Sequence, residues 1–95
     1  MENMSKKMHA VKDKLYAKYG KRCEVCKEKF KAKGLTGHHI VPKSRGGEIT
    51  EDNILITCYQ CHFEIINNMD YDSKEYWELM EKSLEHRKES DEACP

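Results

Sequence analysis

Five cysteines and five histidines are the chemically distinctive residues of this 95-residue chain. Four of the cysteines form two Cys-x-x-Cys pairs, Cys23-Glu-Val-Cys26 and Cys58-Tyr-Gln-Cys61, with 31 residues between them. Two residues between cysteines let both thiolates of a tight turn face one ion. Two such turns complete the tetrahedron that Zn²⁺ prefers with soft sulfur ligands. Two disulfides would use the same residues, but they need an oxidising compartment. The start, Met1-Glu-Asn-Met-Ser-Lys-Lys, lacks the apolar stretch that a secretory signal carries behind its positive charges. A redox Cys-x-x-Cys needs one pair, not two. The spacing therefore predicts a structural zinc on Cys23, Cys26, Cys58 and Cys61, with Cys94 left as a free thiol in the tail.

The histidines divide into two groups. His9 and His86 lie among charged residues on predicted helices and are expected to face solvent. His38 and His39 are adjacent on a predicted strand, so their side chains point to opposite sides unless the strand bends. Gly37 and Pro42 supply a site for such a bend. His62 follows Cys61 directly, so a zinc on Cys61 fixes where its helix begins, and that rigidity suits a ligand or a catalytic group. A lone histidine is usually a packing or surface residue. Three of them flanking a zinc module and a basic loop point instead to a second ion or a proton carrier.

These residues need a frame to hold them, and the chain offers little apolar material for one. Charged residues make up 36% and the hydrophobic set 38% of a chain long enough for one small domain. Such a chain buries only about 60–65% of its unfolded surface, and a metal staple supplies what the core lacks. A helix is expected over 5–19, with Met4, Met8, Val11 and Leu15 as its apolar stripe, Ser5 as cap and Gly20 as stop. The zinc and strand core occupies about 22–67. Within it a short strand runs from Gly34 to Val41, and Ile54-Leu-Ile-Thr57 returns after a turn at Thr50-Glu-Asp-Asn53. His62 to Ile66 reads as a two-turn helix, and a long helix follows over 73–89, with Asp72 and Glu75 as a capping box and Trp77, Met80 and Leu84 as its stripe. The expected class is α+β.

Zero net charge conceals a polarity. Residues 1–47 hold 13 Lys/Arg against 4 Asp/Glu, and residues 48–95 hold 4 against 13. Binding responds to the local field, so the total does not exclude a polyanionic partner. No apolar run reaches the roughly 20 residues of a membrane-spanning helix, which excludes a membrane role of that kind.

The motif string resembles a known family. Cys23-x-x-Cys26, Gly37-His38-His39-Ile40-Val41-Pro42-Lys43-Ser44-Arg45-Gly46-Gly47, Asp52-Asn53-Ile54-Leu55 and Cys58-x-x-Cys61-His62 together resemble the zinc-containing branch of the HNH endonucleases, over about Arg22 to Ile66. The resemblance implies a ββα-metal fold and a metal-dependent endonuclease that hydrolyses DNA phosphodiesters, nicking one strand with low sequence preference. It implies His38 and His62 as ligands of a catalytic divalent ion, His39 as general base and Asn53 as the brace of the loop. Some members carry a further histidine one turn after the position of His62, where this chain has Ile66, with Asn67 next to it. Two imidazoles favour Mn²⁺, Ni²⁺, Co²⁺ or Zn²⁺ over Mg²⁺. Lys43, Ser44 and Arg45 are the candidate phosphate contacts, which set register without reading sequence. An intracellular, phage-type protein is expected, a monomer or weak dimer that works beside a larger packaging or restriction protein. Competing readings are a noncatalytic zinc module that binds nucleic acid and a protein-interaction domain with the acidic C-terminal helix as its contact. The first gives no reason for His38, His39 and His62, and the acidic helix of the second is equally explained as a solvated cover of the core.

Overall fold

The computed structural model describes the backbone of residues 4–93 and the side chains of residues 6–88. Cys94 lies outside the described residues. The chain runs α1 (Met4–Tyr19), β1 (Leu35–His39), β2 (Ile54–Cys58), a wound segment over Cys61–Asn68, and α2 (Lys74–Ala93). β1 and β2 form an antiparallel ribbon whose register pairs Leu35 with Cys58, His38 with Leu55 and His39 with Ile54. This is a small α+β, zinc-stapled ββα-metal architecture.

The ribbon is packed between the two long helices. Strand alternation explains how five consecutive residues of β2 are all buried, at 4% exposure or less. Ile54, Ile56 and Cys58 face α1, where Met8, Val11 and Leu15 meet them. Leu55 faces α2 and packs with Ile40, Ile66, Tyr76 and Met80. Each fully buried aliphatic side chain contributes about 1.5–3 kcal/mol. Gly37 does not break β1 as a bend would; it pairs with Ile56 in register. Its role is clearance, because a Cβ there would sit 2.6 Å from Met8 Sδ and 3.1 Å from Ile54 Cγ2.

α1 begins before Ser5 and ends where Gly20, at φ +87°, turns the chain into the first cysteine pair. α2 departs from the sequence expectation in two ways. Its cap is Ser73, whose Oγ accepts the Tyr76 N–H at 3.2 Å, while Asp72 stays exposed. Its buried face is Tyr76, Met80 and Ser83, and Trp77 is 39% exposed. The indole is one position off the stripe that touches the ribbon, and a phenol with two polar partners takes the inner place.

The far edge of β2 is closed by a buried charge cluster. Glu24, between the first two cysteines, is 4% exposed. Its carboxylate accepts the Ile56 N–H at 2.7 Å, a His86 Nε2 contact at 2.6 Å, and Arg87 Nη2 and Nε at 2.6 and 2.8 Å. The Glu24 N–H also donates to Ile56 O, and Arg87 donates to Ile54 O and Glu51 O, all at 2.8 Å. Strand groups that would otherwise be open to another chain are thus paired. His86 is half-buried against Glu24 and Tyr19, not solvent-facing as its charged neighbours suggested. Glu24→Ala leaves the Arg87 guanidinium, 12% exposed, without its counter-charge. The expected loss is about 3–5 kcal/mol, read from the denaturant midpoint. A midpoint within experimental error of wild type would show that water replaces the carboxylate without penalty.

Candidate active site

The two Cys-x-x-Cys turns converge. One sulfur from each of Cys23, Cys26, Cys58 and Cys61 lies within 4.8 Å of the other three. The corresponding edge of a zinc tetrahedron with 2.3 Å bonds is about 3.8 Å, so the four sulfurs need only small inward movements. The turns are alike: Cys26 N–H points at Cys23 Sγ and Cys61 N–H at Cys58 Sγ, each at 3.5 Å. Such N–H donation favours thiolates. The Lys27 N–H donates to the Cys23 carbonyl at 2.9 Å, and Lys27 at φ +69° then swings the chain back so that Glu28 O accepts the Cys23 N–H at 2.9 Å. The residues fit a structural zinc.

This centre joins the end of β2 to the wound segment, so it fixes His62. The segment was expected as a regular two-turn helix. Instead it is wide, with the Ile66 N–H reaching Cys61 O as well as His62 O, and then tightens over Ile66–Asn68. Wide turns of this kind recur at functional sites.

His38 and His62 come together. Their ring centroids are 5.3 Å apart at an interplanar angle of 62°. Burial, then charge on His62 and on His39, holds the His38 imidazole down to about 4. Burial also lowers His62. Both rings are therefore neutral near pH 7, with lone pairs available to a cation. His62 Nδ1 is buried and has no hydrogen-bond partner, while His38 Nε2 lies 2.8 Å from the Tyr76 hydroxyl. These features fit a divalent ion with borderline affinity for nitrogen. Among the described residues no third His, Cys, Asp or Glu completes a cluster with the pair. Ile66 is core and Asn67 is exposed.

His39 is on the other side of the ribbon. Its register partner Ile54 belongs to the α1-facing core, whereas the partner of His38, Leu55, belongs to the α2-facing one. The expected bend does not merge the three imidazoles into one cluster. His39 lines a groove of about 580 Å³ with Lys7 and Val11 of α1 and with Lys43 and Gly47 of the loop. Its Nε2 is buried without a partner. Lys7 carried no distinguishing signal in the sequence beyond its place in a lysine-rich helix.

Asn53 holds the loop between the strands. Its Oδ1 accepts the Val41 N–H at 2.8 Å, and its Nδ2 donates to Val41 O at 3.1 Å and Glu48 O at 2.9 Å. The Ile40 N–H donates to Asn53 O at 2.8 Å. Both ends of the loop are thus tied to one residue just before β2. Lys43, Ser44 and Arg45 form a tight exposed turn that closes at Gly46, φ +87°. The Arg45 guanidinium lies 4.9 Å from the Tyr71 ring centroid and 3.6 Å from Asp72. Gly47 lies so close to the chain that a Cβ would fall 1.8 Å from the Val41 carbonyl oxygen and 2.9 Å from Asn53 Nδ2. Gly47→Ala must push that carbonyl off the amide. A loss of about 1–3 kcal/mol is expected, seen as a lower melting midpoint. An unchanged midpoint would mean that the loop yields freely.

A model of the HNH endonuclease family matches residues 23–65, which span both cysteine pairs, the ribbon, Asn53 and His62. This segment, 43 of the 95 residues, is similar to HNH endonucleases. No curated protein and no solved structure matches it significantly. The HNH match ends before α2, so Tyr76, His86 and Arg87 are contributions from outside the matched segment. The similarity of this segment to HNH endonucleases points to a nuclease-type function with DNA as substrate. Among the described residues no helix is long and apolar enough to cross a membrane.

Proposed function

We propose that this protein is a metal-dependent endonuclease that nicks DNA with low sequence preference, using His39 as general base and His38 with His62 as holders of a divalent ion. The observation that carries the reading is the placement of neighbouring strand residues on opposite faces, with His38 beside His62 and His39 alone in a lysine-lined groove. In-line hydrolysis needs the attacking water and the leaving oxygen on opposite sides of phosphorus. A scissile phosphate lying across the end of β1 meets one histidine system on each side. Three imidazoles in one cluster would serve that geometry less well.

His39, whose ring lines the groove, accepts the proton of the attacking water. When bound, a divalent ion at His38 and His62 supplies Lewis-acid stabilisation to the phosphate and the leaving 3′-oxygen. Asn53 keeps the loop carbonyls in place, so that His39 meets the phosphate at a fixed height. Lys7 and Lys43 attract the backbone at the His39 groove. Arg45 exchanges Asp72 for a phosphate oxygen, and Ser44 lies between them on the same turn. These contacts address phosphates only, which accounts for weak sequence preference and for strong salt dependence. One ββα unit treats one strand, so a monomer nicks.

Supercoiled plasmid incubated with zinc-loaded protein and Mn²⁺, Ni²⁺ or Mg²⁺ is the direct test. Conversion to the open circle is expected with the first two above the third, and none in excess EDTA. Folded, zinc-loaded protein that binds DNA and leaves the plasmid supercoiled with every ion would reduce the protein to a binding module.

A further inference from the structure

We propose that the Tyr76 hydroxyl, on a helix outside the matched HNH segment, is a positioning group that locks His38 with its proton on Nε2 and leaves Nδ1 as the coordinating nitrogen. The inference rests on the nuclease reading and deepens it. Two contacts carry it. Tyr76 Oη lies 2.6 Å from the Ile40 carbonyl oxygen and 2.8 Å from His38 Nε2. A carbonyl only accepts, so the single phenolic proton is committed to Ile40 O. The phenolic oxygen then accepts, and the donor is His38 Nε2–H. The imidazole is neutral, so its free pair is on Nδ1.

A phenol keeps its proton at neutral pH, and burial, then the neighbouring Tyr71, moves this one further up. The ring is 3% exposed and cannot swing to water. It is gripped edge-on by Tyr71 at 5.6 Å and Trp77 at 5.1 Å, and its backbone N–H is the one Ser73 caps. The other end of the relay is equally fixed, because the Ile40 N–H is bonded to the Asn53 carbonyl. α2 therefore orients the ion-binding face of the ribbon through one oxygen. An outer hydrogen bond that sets tautomer and ring angle typically changes metal affinity by about 10–100-fold.

The test uses full-length zinc-loaded protein. Long-range ¹H–¹⁵N spectra of the wild type without a second metal should show His38 as the Nε2–H tautomer. Tyr76→Phe should turn that signal into a tautomer mixture and weaken Mn²⁺ binding about 10–100-fold, read by electron paramagnetic resonance of free Mn²⁺. Zinc content and far-UV circular dichroism should stay at wild-type values. An Nδ1–H tautomer in the wild type overturns the proposal, and this measurement decides the matter alone if Tyr76→Phe does not fold. Unchanged Mn²⁺ affinity in Tyr76→Phe, with wild-type protein that nicks plasmid in Mn²⁺, overturns the role of Tyr76 only. Zinc-loaded wild-type protein that binds no Mn²⁺ overturns that role and the nuclease reading together.

Discussion

His39→Ala is expected to lower plasmid nicking by roughly 10²–10⁴-fold, the usual contribution of a positioned general base. The fold should survive, because His39 Nε2 has no protein partner that truncation would strand. The substitution also spares the cysteine cluster and the His38–His62 pair, so zinc content and Mn²⁺ affinity should match wild type. This separates His39 from its neighbours. His38→Ala and His62→Ala should raise the Mn²⁺ concentration needed for activity, and excess Mn²⁺ should restore part of the rate. For His39→Ala excess metal should restore nothing, since the missing step is proton removal. Undiminished nicking by His39→Ala would transfer the base role elsewhere, and the buried nitrogen in its groove would need another explanation.

Removal of zinc is expected to unfold the domain. Binding at a site that exists only in the folded chain is folding free energy, on the order of 10 kcal/mol for small zinc modules. That is comparable to the whole stability of a typical domain, about 5–15 kcal/mol. The structure gives a local reason as well. Cys23, Cys58 and Cys61 are buried in the α1-facing core, and Cys61 starts the segment that carries His62. Without an ion, buried thiols remain where the chain needs a bond, and the end of β2 loses its anchor. Verified zinc removal should therefore abolish far-UV helical signal and denaturant cooperativity, and Cys58→Ser should reproduce the effect. A zinc-free protein with full helical signal would show that the apolar contacts of β2 with the two helices suffice.

Much of this architecture was legible because its signals are local. Cysteine spacing is a short-range code, and Gly20, Gly46 and Pro42 punctuate the chain where backbone geometry demands it. The Val11 and Leu15 stripe needs only helical periodicity. What was misread depended on partners distant in sequence. Gly37 looked like a bend in isolation, yet it clears room for Met8, 29 residues earlier. His86 looked solvated among charges, yet its partner Glu24 is 62 residues away. Trp77 looked like core from its spacing to Met80 and Leu84, but Tyr76 faces the ribbon, where two polar partners satisfy its hydroxyl.

The sequence alone determined which four cysteines converge and the order of the elements, because residue type and spacing decide those. Tertiary structure decided how the histidines divide. Strand alternation is visible in any sequence, but which face meets which helix depends on the packing of α1 and α2 against β2. That packing puts His38 beside His62 and Tyr76 and leaves His39 in a separate groove. It also buries Glu24 against Arg87, since a charge can leave water only where a distant partner receives it.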